Sequence, residues 1–222
     1  MDSTIEAEKR IAAEAAAELV SDGMLVGLGT GSTVAHLLPA LAARALDIRC
    51  VATSDATEAQ ARELGISVEP FDQLDRLDIA IDGADQIDPA GWLVKGGGGA
   101  HTREKIVAVA AESFVVIADS SKTVEAITAP IPVELLRFGL EATLRGLGSV
   151  AIRAGAPPSP DAGVIADYSG EVGDPLLLAA RLSATPGVVD HGLFAPGLVS
   201  EVLVGRGGTI EAIAVRKRGS GQ

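Results

Sequence analysis

Aromatic side chains are scarce: Phe, Tyr and Trp make up 3% of the 222 residues. A core must then be built from Val, Ile, Leu and Ala, which suits a parallel sheet covered by helices. Cysteine occurs once, at Cys50. That excludes an intrachain disulfide framework and a cysteine-based zinc site. Cys50 sits in the apolar run 48–52 and reads as a small buried hydrophobe. His36, His101 and His191 are scattered, without metal-ligand spacing. Positive charge is short, with 18 Lys and Arg against 30 Asp and Glu, a net charge of −12. Such a balance argues against nucleic acid as a partner, since binding there needs a basic patch to displace counterions. It leaves room for a small anionic substrate, which needs only a few local donors. No apolar run reaches membrane-spanning length. The first ten residues lack the basic-then-apolar order of a signal peptide. The expectation is a soluble, cytoplasmic protein without a membrane partner.

What is present is an alternation of strands and helices, with 47% hydrophobic residues to bury. Residues 4–21 read as a helix, with Lys9 and Arg10 as solvated charges on it. The run 24–28 reads as a strand, 34–45 as a helix, 48–52 as a strand, and the segment up to 64 as a helix. An edge strand is expected at 66–70, limited by Pro70. Strands at 77–81 and 114–118 flank a helix at 103–112. From the proline-rich segment 129–132 onward the order changes to β-α-β-β-α-β, that of a ferredoxin-like unit. Strands at 201–204 and 209–215 read as a closing hairpin that returns to the first domain, and 216–222 as a frayed basic tail. The fold class expected is α/β: a Rossmann-like parallel sheet with helices on both faces, plus a smaller α+β ferredoxin-like domain. The boundaries drawn are 1–129 with 198–222 for the first domain and 130–197 for the second.

The stretch 82–105 carries the densest chemistry. It holds Asp82, Asp85, Asp88, Lys95 and four successive glycines, Gly96 to Gly99. Glycines let backbone N–H groups approach a ligand closely. Polar residues recur at four strand ends, at 30–33, 53–57, 82–85 and 119–122. Ligands of open parallel sheets bind beyond the carboxyl ends of the strands. That convergence points to a site rather than to independent solvated loops. The Gly29–Thr33 turn opens a helix and forms an anion site in principle. Alone it reads equally well as a capped turn with no ligand. It is neither a complete dinucleotide fingerprint nor a Walker loop. Ser54 or Asp55 is a sufficient N-cap by itself, and Glu104 on its own reads as a carboxylate favoured by the helix dipole.

The motifs GLGTGSTVAHLL (27–38), TSDATEAQARELGI (53–66), IDGADQID (81–88), LVKGGGGAHTREKIVA (93–108), FVVIADSSKTV (114–124), IPVEL (131–135) and PGVVDHGLF (186–194) run in order through nearly the whole chain. Together they resemble the ribose-5-phosphate isomerase family of the A type. The resemblance implies interconversion of D-ribose 5-phosphate and D-ribulose 5-phosphate in the non-oxidative pentose phosphate pathway. It implies no metal and no organic cofactor, and a homodimer or homotetramer. It implies Glu104 as catalytic base, with Asp82, Asp85 and Lys95 at the reacting end of the sugar. Lys9, Thr30, Gly31, Ser32, Thr33, Gly83, Ala84, Gly96, Gly97, Gly98 and Lys122 would complete the substrate site, Lys9 near the phosphate. The residue types fit that chemistry, since one carboxylate can serve both C2 and C1. A lysine ammonium and glycine N–H groups can stabilise an enediolate. Burial and nearby acids would raise the Glu104 pKa, and Lys95 and the helix dipole would lower it, with no winner legible. A non-catalytic sugar-phosphate sensor on the same fold is the alternative.

Three positions depart from the family pattern. Gln86 stands where glutamate is common, removing a charge at the pocket edge. His101 replaces an apolar residue and reads as a surface change. Residues 195–198 replace an asparagine-containing turn, which affects the domain return and not the chemistry.

Overall fold

A computed structural model of the chain describes residues 3–72 and 74–214. The expected basic tail at 216–222 and the last residue of the closing hairpin lie outside them. In chain order the elements are α1 (Ser3–Ala17), β1 (Leu25–Leu28), α2 (Val34–Ala43), β2 (Arg49–Ala52), α3 (Asp55–Glu63), β3 (Leu77–Gly83), β4 (Gln86–Ile87) and β5 (Leu93–Val94). There follow α4 (His101–Ala110), β6 (Ala111–Asp119), β7 (Ile131–Leu135), α5 (Leu140–Leu147), β8 (Val150–Ile152), β9 (Val164–Tyr168), α6 (Pro175–Ser183), β10 (Val188–His191), β11 (Leu193–Phe194), β12 (Glu201–Arg206) and β13 (Thr209–Ala214). Short 3-10 turns lie at Ser120–Lys122 and Pro196–Leu198.

The chain forms two compact units. The first comprises Met1–Ala84, Glu104–Thr123 and Pro196–Gln222. Its sheet has the order β13-β12-β6-β3-β1-β2, parallel except for the terminal β12–β13 hairpin. Strand periodicity sorts the side chains. Val26, Leu28, Ile79, Ile81, Val115 and Ile117 join the alanines of α1 and the leucines of α2 in one buried cluster. The intervening Gly27 and Ala80 turn to the other face, where Val107 of α4 sits against Gly27. Helices therefore cover both faces, as the apolar strand runs require. Cys50 is buried in the first cluster. Desolvation, with the Glu69 charge adding to it, pushes its thiol up to about 12, so it is an inert core residue.

The second unit comprises Asp85–Arg103 and Val124–Ala195. Its antiparallel sheet, β10-β7-β9-β8, with α5 and α6, has the ferredoxin-like β-α-β-β-α-β order. Asp174 caps α6 by accepting from the Leu176 N–H at 2.8 Å, and Pro175 occupies the first turn where no N–H is needed. Ile131, Val133, Leu135, Ala166, Leu178 and Leu182 form its core. The sequence boundaries put 85–103 in the first domain. In the structure this segment groups with the second unit, because β4 and β5 form a small sheet with β11. Such two-residue strands carry too little periodicity to be read from sequence.

Other differences are local. α1 ends at Ala17 and not at residue 21, and Arg44 donates to the carbonyls of Ala17 and Val20 at its end. The expected edge strand at 66–70 is reduced to one bridge between Cys50 and Val68. The last strand of the β-α-β-β-α-β order, β10, ends before Gly192, which donates to the Pro132 carbonyl at 2.7 Å and accepts from the Lys95 N–H at 2.9 Å, and β11 follows in another sheet.

Beyond the apolar packing of its alanines, helix α1 is tied to the sheet by Glu8. The buried Glu8 carboxylate accepts from the backbone N–H of Ser120 and of Gly207, both at 2.9 Å. Its main-chain carbonyl lies so close to Gly205 that a β-carbon there would come within 2.1 Å. The Ser120 side chain, then the Gly207 and Ser120 amides, hold the Glu8 carboxyl below the usual carboxylate range.

Two outcomes follow. Gly205→Ala must displace the α1 backbone and is expected to cost roughly 1–3 kcal/mol in denaturant unfolding. Glu8→Gln keeps the size but offers one acceptor oxygen in place of two, at an expected cost of about 1–3 kcal/mol at pH 7. Because the folded pKa is depressed, the Glu8 contribution is complete above the unfolded value of about 4.3. It is lost as pH falls through the lower folded value. The stability gap between wild type and variant should therefore close in acid, as measured by urea unfolding at pH 7 and at successively lower pH.

Candidate active site

The parallel register decides where the first unit can hold a ligand. Leu28 pairs with Ala52 on one side and Ile81 on the other, and Gly83 pairs with Ile117. The segments leaving β1, β2, β3 and β6 therefore emerge at one edge of the sheet. From β1 the chain goes first to β2 on one side and then returns to β3 on the other. The gap between β1 and β3 is thus a topological switch point, where the loops diverge and leave a crevice. The candidate residues Thr30 to Thr33 leave β1 at that point, and Asp82 is the penultimate residue of β3.

These loops are bonded to each other. Asp82 Oδ1 accepts from the Thr30 N–H at 3.1 Å and from its neighbour Gly83 N–H at 2.7 Å. Asp82 is buried, at 3% exposure. The Thr30 hydroxyl lies 2.8 Å from that of Thr53 and donates to Ser54 Oγ at 2.9 Å. Ser54 also caps α3 by accepting from the Thr57 N–H at 3.2 Å, and the Thr57 hydroxyl donates to the Gly29 carbonyl at 2.9 Å. The cap expected at Ser54 is thus present, and it also belongs to a hydroxyl cluster that fixes the turn. Gly31 and Ser32 are exposed at the start of α2, whereas Thr33 is buried and makes no capping bond with its side chain.

Glu104 lies in the first turn of α4 and is 4% exposed. Burial of that degree separates it from an ordinary solvated helix-start carboxylate. Lys9 is also buried, at 8%, which corrects its reading as a solvated charge. Its ammonium contacts Glu6 Oε1 at 2.8 Å, and His36 Nε2 contacts Glu6 Oε2 at 3.0 Å. Lys9, followed by His36, holds the Glu6 carboxyl below its usual range. Arg10, in contrast, is exposed beside Glu14. Asp119 is buried and accepts from Ser121 N–H at 3.0 Å, and Lys122 follows in the same 3-10 turn.

In the second unit Asp85, Lys95 and the glycines are brought together. Asp85 donates its N–H to the Val94 carbonyl at 2.7 Å, and its Oδ2 accepts from the Gly97 N–H at 2.8 Å. Lys95 is 3% exposed, with its ammonium 5.6 Å from the centre of the Phe194 ring. Gly96 has φ +103°, and a β-carbon there would fall 2.6 Å from His101 Nδ1. Gly97 and Gly98 face outward. Gly83 and Ala84 end the first unit's strand segment, and Asp85 begins the second unit directly after them in the chain.

Two departures from the family pattern find physical accounts here. His101 is fully buried beside Gly96, so it is not a surface change. The Gln86 amide donates to the Thr128 carbonyl and accepts from the Thr128 N–H, both at 2.9 Å. A glutamate could accept there but not donate.

Sequence reasoning overlooked a set of polar residues behind this machinery. Arg153 donates to the Gly96 and Gly97 carbonyls. Buried Glu134 accepts from the hydroxyls of Thr102 and Ser159. Glu134 alternates with Ile131, Val133 and Leu135 in β7, which in sequence reads as an outward-facing acid, so nothing local marked it as buried. Among the described residues no group of three or more His, Cys, Asp or Glu is arranged to hold a metal ion.

Comparison with known proteins is consistent with this geometry. The family model "Ribose 5-phosphate isomerase A (phosphoriboisomerase A)" matches residues 49–208. Ribose-5-phosphate isomerase A of Caulobacter vibrioides is 48% identical over 213 residues, covering 89% of this chain and 93% of the relative. The structure of ribose 5-phosphate isomerase A from Methanocaldococcus jannaschii superposes with a TM-score of 0.87 at 34% identity, covering 93% of this chain and 97% of that one. A D-ribose-5-phosphate isomerase solved in complex with phospho-erythronic acid gives 0.89 at 32% identity, covering 95% and 99%. On the matched span, the identity and the shared fold, the chain belongs to the ribose 5-phosphate isomerase A family.

Proposed function

We propose that Glu104 is the general base with which this chain interconverts D-ribose 5-phosphate and D-ribulose 5-phosphate. The chain is an aldose–ketose isomerase, as its family membership establishes. The assignment of roles within it is our own reading. The observation that carries it is the burial of Glu104, at 4% exposure, nine residues after the equally buried Lys95. A desolvated carboxylate is a better proton acceptor from carbon than a solvated one.

In the open-chain sugar, Glu104 removes the proton from C2 and returns it to C1. The electron pair of the broken C2–H bond forms the C1–C2 double bond of an enediolate, and negative charge develops on oxygen. The proton of the C2 hydroxyl leaves and one is gained at O1, so the reaction is balanced without an external oxidant or reductant. Asp82 and Asp85 move these hydroxyl protons and assist ring opening. The Lys95 ammonium and the N–H groups of the glycine loop stabilise the oxyanion. Thr30 to Thr33, at the start of α2, hold the substrate with Gly83, Ala84 and Lys122, and Lys9 attracts the phosphate. We place the reaction in the cytoplasm and assign a dimer or tetramer on the family pattern. Among the described residues no helix is long and apolar enough to cross a membrane.

Glu104→Gln keeps the shape of the side chain and removes the base. Turnover of ribose 5-phosphate should fall by at least about a hundredfold. Phospho-erythronic acid, taken as a ligand for this chain by similarity, should still bind within a few fold of wild type in calorimetry. Retention of most of the activity would overturn the assignment.

A further inference from the structure

The glycine loop is held from behind by one arginine. Arg153 follows β8, and its N–H donates to the Ile165 carbonyl at 2.9 Å, continuing the β8–β9 ladder. Ala151 pairs with Asp167, so Arg153 and Asp167 share a face as a diagonal pair. Asp167 takes Arg153 Nε at 2.8 Å and Nη2 at 2.6 Å, a two-pronged grip that fixes the guanidinium plane. The remaining arm, Nη1, donates to the Gly96 carbonyl at 3.0 Å and to the Gly97 carbonyl at 2.9 Å.

Two consequences follow from peptide planarity. In a trans peptide the N–H points opposite to the carbonyl of the same unit. With the Gly96 and Gly97 carbonyls turned to Arg153, the N–H groups of Gly97 and Gly98 point away from it. The Gly97 N–H is accordingly found on Asp85 Oδ2 at 2.8 Å. A cation on the carbonyl side also polarises both peptides and makes their N–H groups better donors. The hydrogen bonds that Arg153 donates to Asp167 raise its pKa, with the charges of Asp167 and Asp85 adding and burial opposing. A lysine could not grip Asp167 and span two carbonyls in one plane.

We propose that Arg153, held by Asp167, is a positioning residue that orients and polarises these two peptides, so that the Gly97 N–H holds Asp85 and the Gly98 N–H serves as an oxyanion donor, a role that rests on the isomerase reading of the same site. Arg153 touches no reacting atom. It acts by fixing which side of the glycine loop presents donors and which presents acceptors.

The test uses Arg153→Gln, Arg153→Lys and Asp167→Asn in the full chain. Measured are kcat and KM for ribose 5-phosphate and the calorimetric Kd of phospho-erythronic acid, whose carboxylate spreads negative charge over two oxygens as an enediolate does. Arg153→Gln should lower kcat about tenfold to a hundredfold, below the loss from deleting a direct oxyanion donor. KM should stay within about threefold, and Kd should weaken in proportion to kcat. Arg153→Lys should recover part of both, and Asp167→Asn should show the same pattern more weakly. A purely structural role would lower the active fraction, leaving the Kd of the bound fraction unchanged. That result, or unchanged kcat and Kd in all three variants, would overturn the proposal. So would failure of both Arg153→Gln and Asp167→Asn to fold by circular dichroism. An inactive wild type would instead count against the isomerase reading, with the Kd series still deciding the role of Arg153.

Discussion

The hydrogen bond from the Thr30 N–H to the Asp82 carboxylate ties the loop leaving β1 to the end of β3 at the switch point of the parallel sheet. Everything proposed for the first unit depends on that junction. The strand order forces the two loops apart, and the bond sets how far they part. A buried carboxylate accepting two backbone N–H groups is held in place with little freedom, which is what a group that moves protons between two oxygens requires. The threonine and serine hydroxyls around Thr30 extend the same restraint to β2 and α3.

The second unit solves a different problem. Consecutive glycines are free to adopt many conformations, and a donor site needs one. Order is imposed from outside the loop, by Asp85 on one N–H and by Arg153 on two carbonyls. Glu134 and the pair Arg103–Asp161 fasten the first turn of α4 to the 159–161 turn in the same manner. The residues next to Glu104 in the chain, His101 to Arg103, are therefore fixed by side-chain bonds as well as by helix geometry.

Much of this was legible before any coordinates. Apolar runs followed by polar turns located β1, β2, β3 and β6, because buried parallel strands read as continuous hydrophobic stretches. The ferredoxin-like order of the second unit followed from element order alone. The residues Asp82, Asp85, Lys95 and Glu104 stood out through their motifs, though their roles rest on resemblance and chemistry. What stayed hidden was long-range. Nothing local distinguishes Arg153 from a surface arginine, since its meaning lies in carbonyls more than fifty residues away. Lys9 looked solvated because its pair with Glu6, three residues back on the same helix, is what an exposed helix face also shows, and its burial comes only from tertiary packing. β4, β5 and β11 are too short to show a period, so the assignment of 85–103 to the second unit could not be anticipated.

The central claim is proton transfer through an enediolate by one buried carboxylate. Proton NMR of ribose 5-phosphate incubated with the protein in heavy water, with a chelator present, tests it most directly. The account predicts ribulose 5-phosphate carrying solvent deuterium at C1, since a carboxyl exchanges its proton with solvent between the two half-reactions. Ribulose 5-phosphate formed without deuterium at C1, or failure of the folded protein to form it, would contradict the account.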